Sequence, residues 1–93
     1  MRRLRKEDIH SVAERERVTL EELVSGEKGT VVQLEGGPGF VGRLAALGFT
    51  PGVTVHVLRN PGRGPIIVSL LDTQIALGRG QAARVHVRRN HHP

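Results

Sequence analysis

Glycine and proline interrupt this chain so often that no apolar run can grow into a long helix. Twelve glycines and five prolines are spread over 93 residues. They bracket the segments richest in valine, leucine and isoleucine. Thr30-Val31-Val32 leads to Gly36-Gly37, Val53–Arg59 lies between Gly52 and Pro61, and Ile66–Leu71 follows Gly64-Pro65. Short β-branched runs with such boundaries read as strands joined by tight corners. A chain of this length buries one small core and no second lobe. That core is aliphatic, because Phe40 and Phe49 are the only aromatic residues.

The local chemistry places the elements. Thr19 is an N-cap, with Glu22 three residues on completing a capping box. Leu20, Leu23 and Val24 are expected on one side of the turn that follows, which Gly26 ends. Gly29–Leu34 is the first strand. Phe40, Leu44 and Leu47 are spaced i, i+4, i+7, so the one convincing helix covers about Gly39–Leu47. Gly48 then stands at C′, with Phe49 at C″ meeting Leu44 in a Schellman cap. Thr50-Pro51-Gly52-Val53 has the form of a type II turn. Val53–Arg59 alternates, with Val53, Val55 and Val57 on one face. Ile66–Leu71 is the third strand, Asp72-Thr73 a tight turn and Gln74–Leu77 the fourth strand. Gly78–Ala83 turns again before Arg84–Arg88, whose Val85 and Val87 point inward. The expected fold is mainly β: a small five-stranded barrel, with one helix between strands 1 and 2.

Residues 18–88 hold this domain. Residues 1–17 read as a charged tail, loose or weakly helical over Glu7–Arg17, and 89–93 as a polar tail. The formal net charge is +5, unevenly placed. Residues 1–17 carry six Lys/Arg and four Asp/Glu, and Arg88 and Arg89 add two more positive charges. The segment between has six basic and five acidic residues. A near-neutral domain without Tyr or Trp lacks both the electrostatic and the stacking platform for nucleic acid, so such a partner is not expected. The basic Met1–Lys6 start has no apolar segment behind it, and no apolar run approaches the ~20 residues that span a bilayer. These features point to the cytoplasm and to no membrane insertion.

Little in the chain points to chemistry. There is no cysteine. Asp8 and Asp72 are the only aspartates, in tail and turn, and no catalytic set can be assembled. The chain reads as no enzyme, with no cofactor. Gly37-Pro38-Gly39-Phe40-Val41-Gly42 matches G-x-G-x-x-G, but its proline removes a phosphate-binding donor and no acidic residue ends the next strand. It reads instead as a glycine turn that lets the helix pack closely. His56 and His86 are solvated strand residues, and His10 lies in the tail. His91-His92 could hold only a weak, adventitious metal, so no metal ligand is assigned.

Four segments in order carry a family resemblance. Arg43-Leu44-Ala45-Ala46-Leu47-Gly48-Phe49-Thr50-Pro51-Gly52-Val53-Thr54-Val55 resembles the R-L-x-x-L/M-G-F-x-P-G-x-x-V signature of the FeoA family. Thr19–Leu23 with Gly26–Gly29 is similar to its T-L-x-x-L-x-x-G-x-x-G opening. Gly64-Pro65-Ile66 with Val68 resembles its G-G-P-I-x-V, and Ile75-Ala76-Leu77 with Ala82 and Val85 its closing segment. Gln81 departs from the pattern, which has an acidic residue there. The resemblance covers about residues 19–87. It implies an SH3-like barrel that assists ferrous iron uptake by docking on the cytosolic side of a FeoB-type GTPase-transporter.

The expected docking surface is the helix-to-strand elbow, Leu47, Gly48, Phe49, Pro51 and Gly52, with the loop from Pro61 to Pro65. Leu58, Ile67 and Leu71 must face outward if Ile66, Val68 and Leu70 face the core. Either the helix and the 19–24 turn cover them or they form part of that surface. Two other classes stay open: a small basic barrel that binds RNA or DNA, and a metal-sensing domain like the last domain of metal-dependent repressors. The oligomeric state is open too, weak self-association included.

Overall fold

Period-two alternation ties the strands to a single core, and burial follows it closely. The computed structural model describes residues 16–90. The elements are β1 (Arg17–Thr19), a 3-10 turn (Leu20–Glu22), β2 (Lys28–Leu34), α1 (Pro38–Ala46), β3 (Thr54–Arg59), β4 (Ile66–Leu70), β5 (Thr73–Leu77), α2 (Arg79–Ala82) and β6 (Val85–Arg89). The strands form one antiparallel sheet in the order β1-β6-β2-β3-β4-β5. Val31, Val55, Val57, Ile66, Val68, Leu70, Leu77, Val85 and Val87 point from it into the core. Register shifts at Val31/Gln33 and Val57/Arg59 mark bulges, which bend strands and let one sheet curve around its contents.

The sheet is not the closed five-stranded barrel expected. It has six strands, and no ladder joins β1 to β5 among the described residues. Non-strand side chains seal the core instead: Leu20 and Leu23 from the 3-10 turn and its end, Leu44 from α1, Phe49 after it, and Ala82 from α2. The additional strand, β1, takes Arg17 from the segment read as tail, and β6 reaches Arg89. The helical reading of Glu7–Arg17 otherwise falls outside the described residues, as do His10, His91 and His92.

Several local expectations need correction. The hairpin between β4 and β5 turns on Leu71-Asp72, not on Asp72-Thr73, because Leu70 pairs with Thr73. Gly78–Ala83 contains α2 rather than a bare turn. Val24 is 61% exposed and does not join Leu20 and Leu23. A side chain at Gly37, Gly39 or Gly42 would meet nothing within 4 Å, so these glycines do not serve close helix packing. Gly37 is the N-cap and Pro38 opens α1, where its missing N–H costs nothing.

Candidate protein-docking site

The elbow after α1 is built by backbone hydrogen bonds. The Phe49 N–H donates to Leu44 O at 3.1 Å and the Gly48 N–H to Ala45 O at 2.9 Å, the two bonds of a Schellman cap. Gly48 has φ +109°, and a β-carbon there would lie 3.1 Å from Leu71 Cδ1. Glycine therefore satisfies both the left-handed turn and the approach of Leu71. The Val53 N–H donates to Thr50 O at 3.1 Å, and Gly52 has φ +94°, which completes the type II turn over Pro51.

These contacts sort the anticipated docking residues. Phe49 is completely buried; it is a core side chain and presents nothing to a partner, because the cap folds it under the helix. Leu47 is 48% exposed and Leu71 69% exposed, and they flank Gly48. Pro51 and Gly52 lie exposed in the adjoining turn. Leu58 is 36% exposed and Ile67 partly buried, while Pro61 and Pro65 are exposed. The elements that were to cover this face, the helix and the 19–24 turn, send Leu44, Leu20 and Leu23 into the core instead. Ile67 and Leu71 are four residues apart along β4 and its turn, about 13 Å at strand rise. Leu71 thus belongs with Leu47 at the elbow, and Ile67 with the far end of β4, near Pro65.

Leu71 occupies an unfavourable position twice over. Its φ is +49°, and that of Asp72 is +62°, the arrangement of a two-residue type I′ hairpin, which favours Asn-Gly or Asp-Gly. A leucine pays backbone strain there, and most of its side chain faces water. Neither turn chemistry nor core packing calls for an apolar residue at this point.

Beside the elbow, Phe40, Arg43, Leu44, Ala46 and Leu47 of α1 and its C-cap face Gln81 of α2 across a half-open groove of about 320 Å³. Phe40, Arg43, Ala46 and Gln81 were not anticipated as site residues, because the groove exists only where α2 forms. The start of α2 is held by one half of a capping arrangement, the Gly78 N–H donating to Gln81 Oε1 at 3.1 Å; glycine has no side chain to complete the box, so the sequence carries no full capping signature there. Arg84 stacks over the Phe40 ring, 5.2 Å from its centre.

The loop from Asn60 to Pro65 is clamped. The Asn60 amide donates to Glu21 O at 2.9 Å and to Leu23 O at 2.6 Å. Its carbonyl accepts from the Gly62 N–H at 3.1 Å and from Arg79 Nη2 at 2.8 Å. Arg79 Nη1 donates to Gly64 O at 2.9 Å, and Nε lies 3.6 Å from Glu21 Oε1. One asparagine and one arginine thus tie the loop to the 3-10 turn and to α2. Of the strand histidines, His86 Nε2 lies 2.8 Å from Glu35 Oε1, and His56 sits opposite Lys28 and Ser69. Among the described residues no three of His, Cys, Asp and Glu gather as metal ligands, and no helix is long and apolar enough to cross a membrane.

Comparison with known proteins gives this geometry its context. A family model described as the FeoA domain matches residues 18–89. The chain is similar to a candidate Fe(2+) transport protein A of Methanocaldococcus jannaschii, 37% identical over 67% of this chain and 74% of that protein. It is also similar to an Fe(2+) transport protein A/Fe(2+) transporter FeoB fusion protein of Porphyromonas gingivalis, 33% identical over 73% of this chain but only 8% of that much longer protein. Among solved structures it resembles an iron uptake regulatory protein (FeoA), with a TM-score of 0.76 and 42% identity over 80% of this chain and 99% of that one. A zinc complex of FeoA from Stenotrophomonas maltophilia, described as a prokaryotic SH3 domain protein, aligns with a TM-score of 0.67 and 29% identity, over 75% of this chain and 88% of that one. The sheet described above is therefore SH3-like in fold.

Proposed function

This chain belongs to the FeoA family, and on that premise we propose that it is a non-catalytic accessory of ferrous iron transport that docks on the cytosolic side of a FeoB-type GTPase-transporter. The Porphyromonas gingivalis relative supports the choice of partner, since it carries the two names in one chain. Fusion holds two modules at high effective concentration, which is useful when they must meet.

The observation that carries the reading is Leu71, held exposed and strained over Gly48 beside half-exposed Leu47. Strain at a position the fold does not need points to function. The primary contact is Leu47, Gly48 and Leu71 with the Phe40–Gln81 groove, flanked by Pro51 and Gly52. Leu58, Ile67, Pro61 and Pro65 form a second, outlying patch. Docking of apolar side chains in a polar rim needs no cofactor and no chemistry from this chain.

The test is capture of a detergent-solubilised FeoB-type transporter by the full chain, compared with Leu47→Asp. Leu47 is half-exposed, so the aspartate should fold, and capture should fall at least about tenfold, as for loss of a buried apolar anchor. Undiminished capture by a folded Leu47→Asp chain rules out the elbow as the contact.

A further inference from the structure

A sheet that does not close has two edges, and here the two differ in kind. At one, β1 is three residues long and carries Arg17; shortness and charge both keep an edge from pairing with another chain. At the other, β5 pairs with β4 and, among the described residues, with no further strand. Its sequence, Thr73-Gln74-Ile75-Ala76-Leu77, has no charge and no proline. Its register against β4 runs from Leu70–Thr73 to Ile66–Leu77 without a bulge. Thr73, Gln74 and Ala76 are exposed. None of the usual protections of an edge is present on β5.

The hairpin fixes which backbone groups this edge offers. Its two-residue turn makes Leu70 and Thr73 a hydrogen-bonded pair. Alternation then directs the N–H and C=O of Thr73, Ile75 and Leu77 to β4, and turns those of Gln74 and Ala76 outward. Two such residues on either side of Ile75 are self-complementary under a two-fold axis through Ile75. Gln74 of one copy then faces Ala76 of the other, and Ala76 faces Gln74, so every outward group of the strand is paired. An axis at Ala76 would instead set Gln74 against Gly78, whose N–H already donates to Gln81 Oε1. An axis at Gln74 would set Ala76 against Asp72 in the turn. Across the Ile75 axis the two isoleucines form the pair without hydrogen bonds, where side chains approach most closely. Ile75 is half-buried at the rim of the core, so its open side meets an identical apolar side chain on the same face.

We propose that two copies of this chain pair antiparallel through β5, about a two-fold axis at Ile75, so that one sheet runs through both. The second copy is the occupant that the register itself supplies: both outward-facing residues and the half-buried isoleucine find their complements in the same strand. An edge without charge carries nothing to select a different strand over its own copy. Closed two-fold pairs are also the commonest homo-oligomers. Two five-residue strands make a small interface, so the dimer is weak and depends on concentration. The paired residues include neither Leu47 nor the groove residues of α1, so the association goes beyond the docking reading and does not depend on it.

The experiment is analytical ultracentrifugation of the full chain from roughly 10 μM to 1 mM, the range in which a small interface dissociates. The parent is expected to shift from monomer to dimer across it. Because residue 74 faces residue 76 of the other copy, charge placement tests the register directly. Gln74→Lys/Ala76→Lys sets like charges opposite each other twice, and Gln74→Glu/Ala76→Lys sets opposite charges there. Their dissociation constants should differ roughly tenfold or more, the mixed pair associating more tightly, and salt should narrow the gap. Gln74→Glu/Ala76→Glu should also weaken the dimer although it lowers the net charge, which separates local repulsion from that of the whole molecule. Should the lysine pair fail to fold by circular dichroism, Ala76→Pro removes an outward N–H and no bond to β4, and it should abolish the dimer. A parent that stays monomeric at about 1 mM, or like-charged and mixed pairs that associate equally, would overturn the proposal. So would a dimer lost in Leu47→Asp but kept in Gln74→Lys/Ala76→Lys, since that places the contact at the elbow.

Discussion

Leu71→Asn is expected to separate folding from docking. Two opposing effects set its influence on stability. Leucine at φ +49° carries roughly 1–2 kcal/mol of left-handed strain, much of which asparagine avoids, since its short side chain tolerates that region. Against this, the contacts of Leu71 with Gly48 are lost. With 69% of the residue exposed, only about a third of the ~1.5–3 kcal/mol for a fully buried leucine is at stake, or roughly 0.5–1 kcal/mol. The two nearly cancel, and the variant should melt within a few degrees of the parent. Docking has no such compensation. If a partner covers the exposed two-thirds, about 1–2 kcal/mol of burial vanishes, and affinity for the transporter should fall roughly 5- to 30-fold. Thermal melts followed by circular dichroism and titration of the solubilised transporter measure the two halves. A loss of stability above about 1.5 kcal/mol would make Leu71 a core residue after all. Unchanged affinity in a fully folded variant would refute the claim that its exposure serves a partner.

Asn60→Ala should cost about 2–3 kcal/mol, because the carbonyls of Glu21 and Leu23 lose their donor and Arg79 and Gly62 lose an acceptor. For a domain of this size that lowers the melting temperature by roughly 10–20 °C. Asn60→Asp, nearly identical in shape, should do no better, since it turns a lone pair toward both carbonyls; an aspartate variant clearly more stable than the alanine one contradicts the hydrogen-bond account. Gly42→Ala should stabilise the chain by about 0.5–1 kcal/mol, because Gly42 lies inside α1 with open space at its β-carbon position. A melt that falls instead would show that α1 needs that glycine for a reason its surroundings do not reveal.

What the sequence made legible is local. The Schellman cap over Leu44, Gly48 and Phe49 and the turn over Pro51-Gly52 are written within a few residues, and both are found. The inward valines of β3 and β6 follow from alternation alone. What was missed depends on partners distant in the chain. β1 has three residues and no pattern of its own; it is a strand because β6 pairs with it. Asn60 sits in a glycine- and proline-rich loop that reads as mere connection, yet it bonds to the 3-10 turn and α2. Closure was inferred from the strand count. The structure instead seals its core with Leu20, Leu23, Leu44 and Phe49, so two edge strands need not meet.

The same distinction governs the candidate site. Alternation along β4 marked Leu71 as outward-facing, but placed the turn one residue too late; only the Leu70–Thr73 pairing puts Leu71 in the turn itself and gives it positive φ. That slip matters for function. An outward leucine on a strand is ordinary, since folded proteins expose much apolar surface. A leucine in a hairpin turn that favours Asn-Gly, resting on a glycine whose missing β-carbon makes room for it, is not explained by packing. The fold closes its core without Leu47 or Leu71 and spends strain to present one of them. An aliphatic surplus at a rigid, capped elbow is the feature expected of a surface that meets another protein.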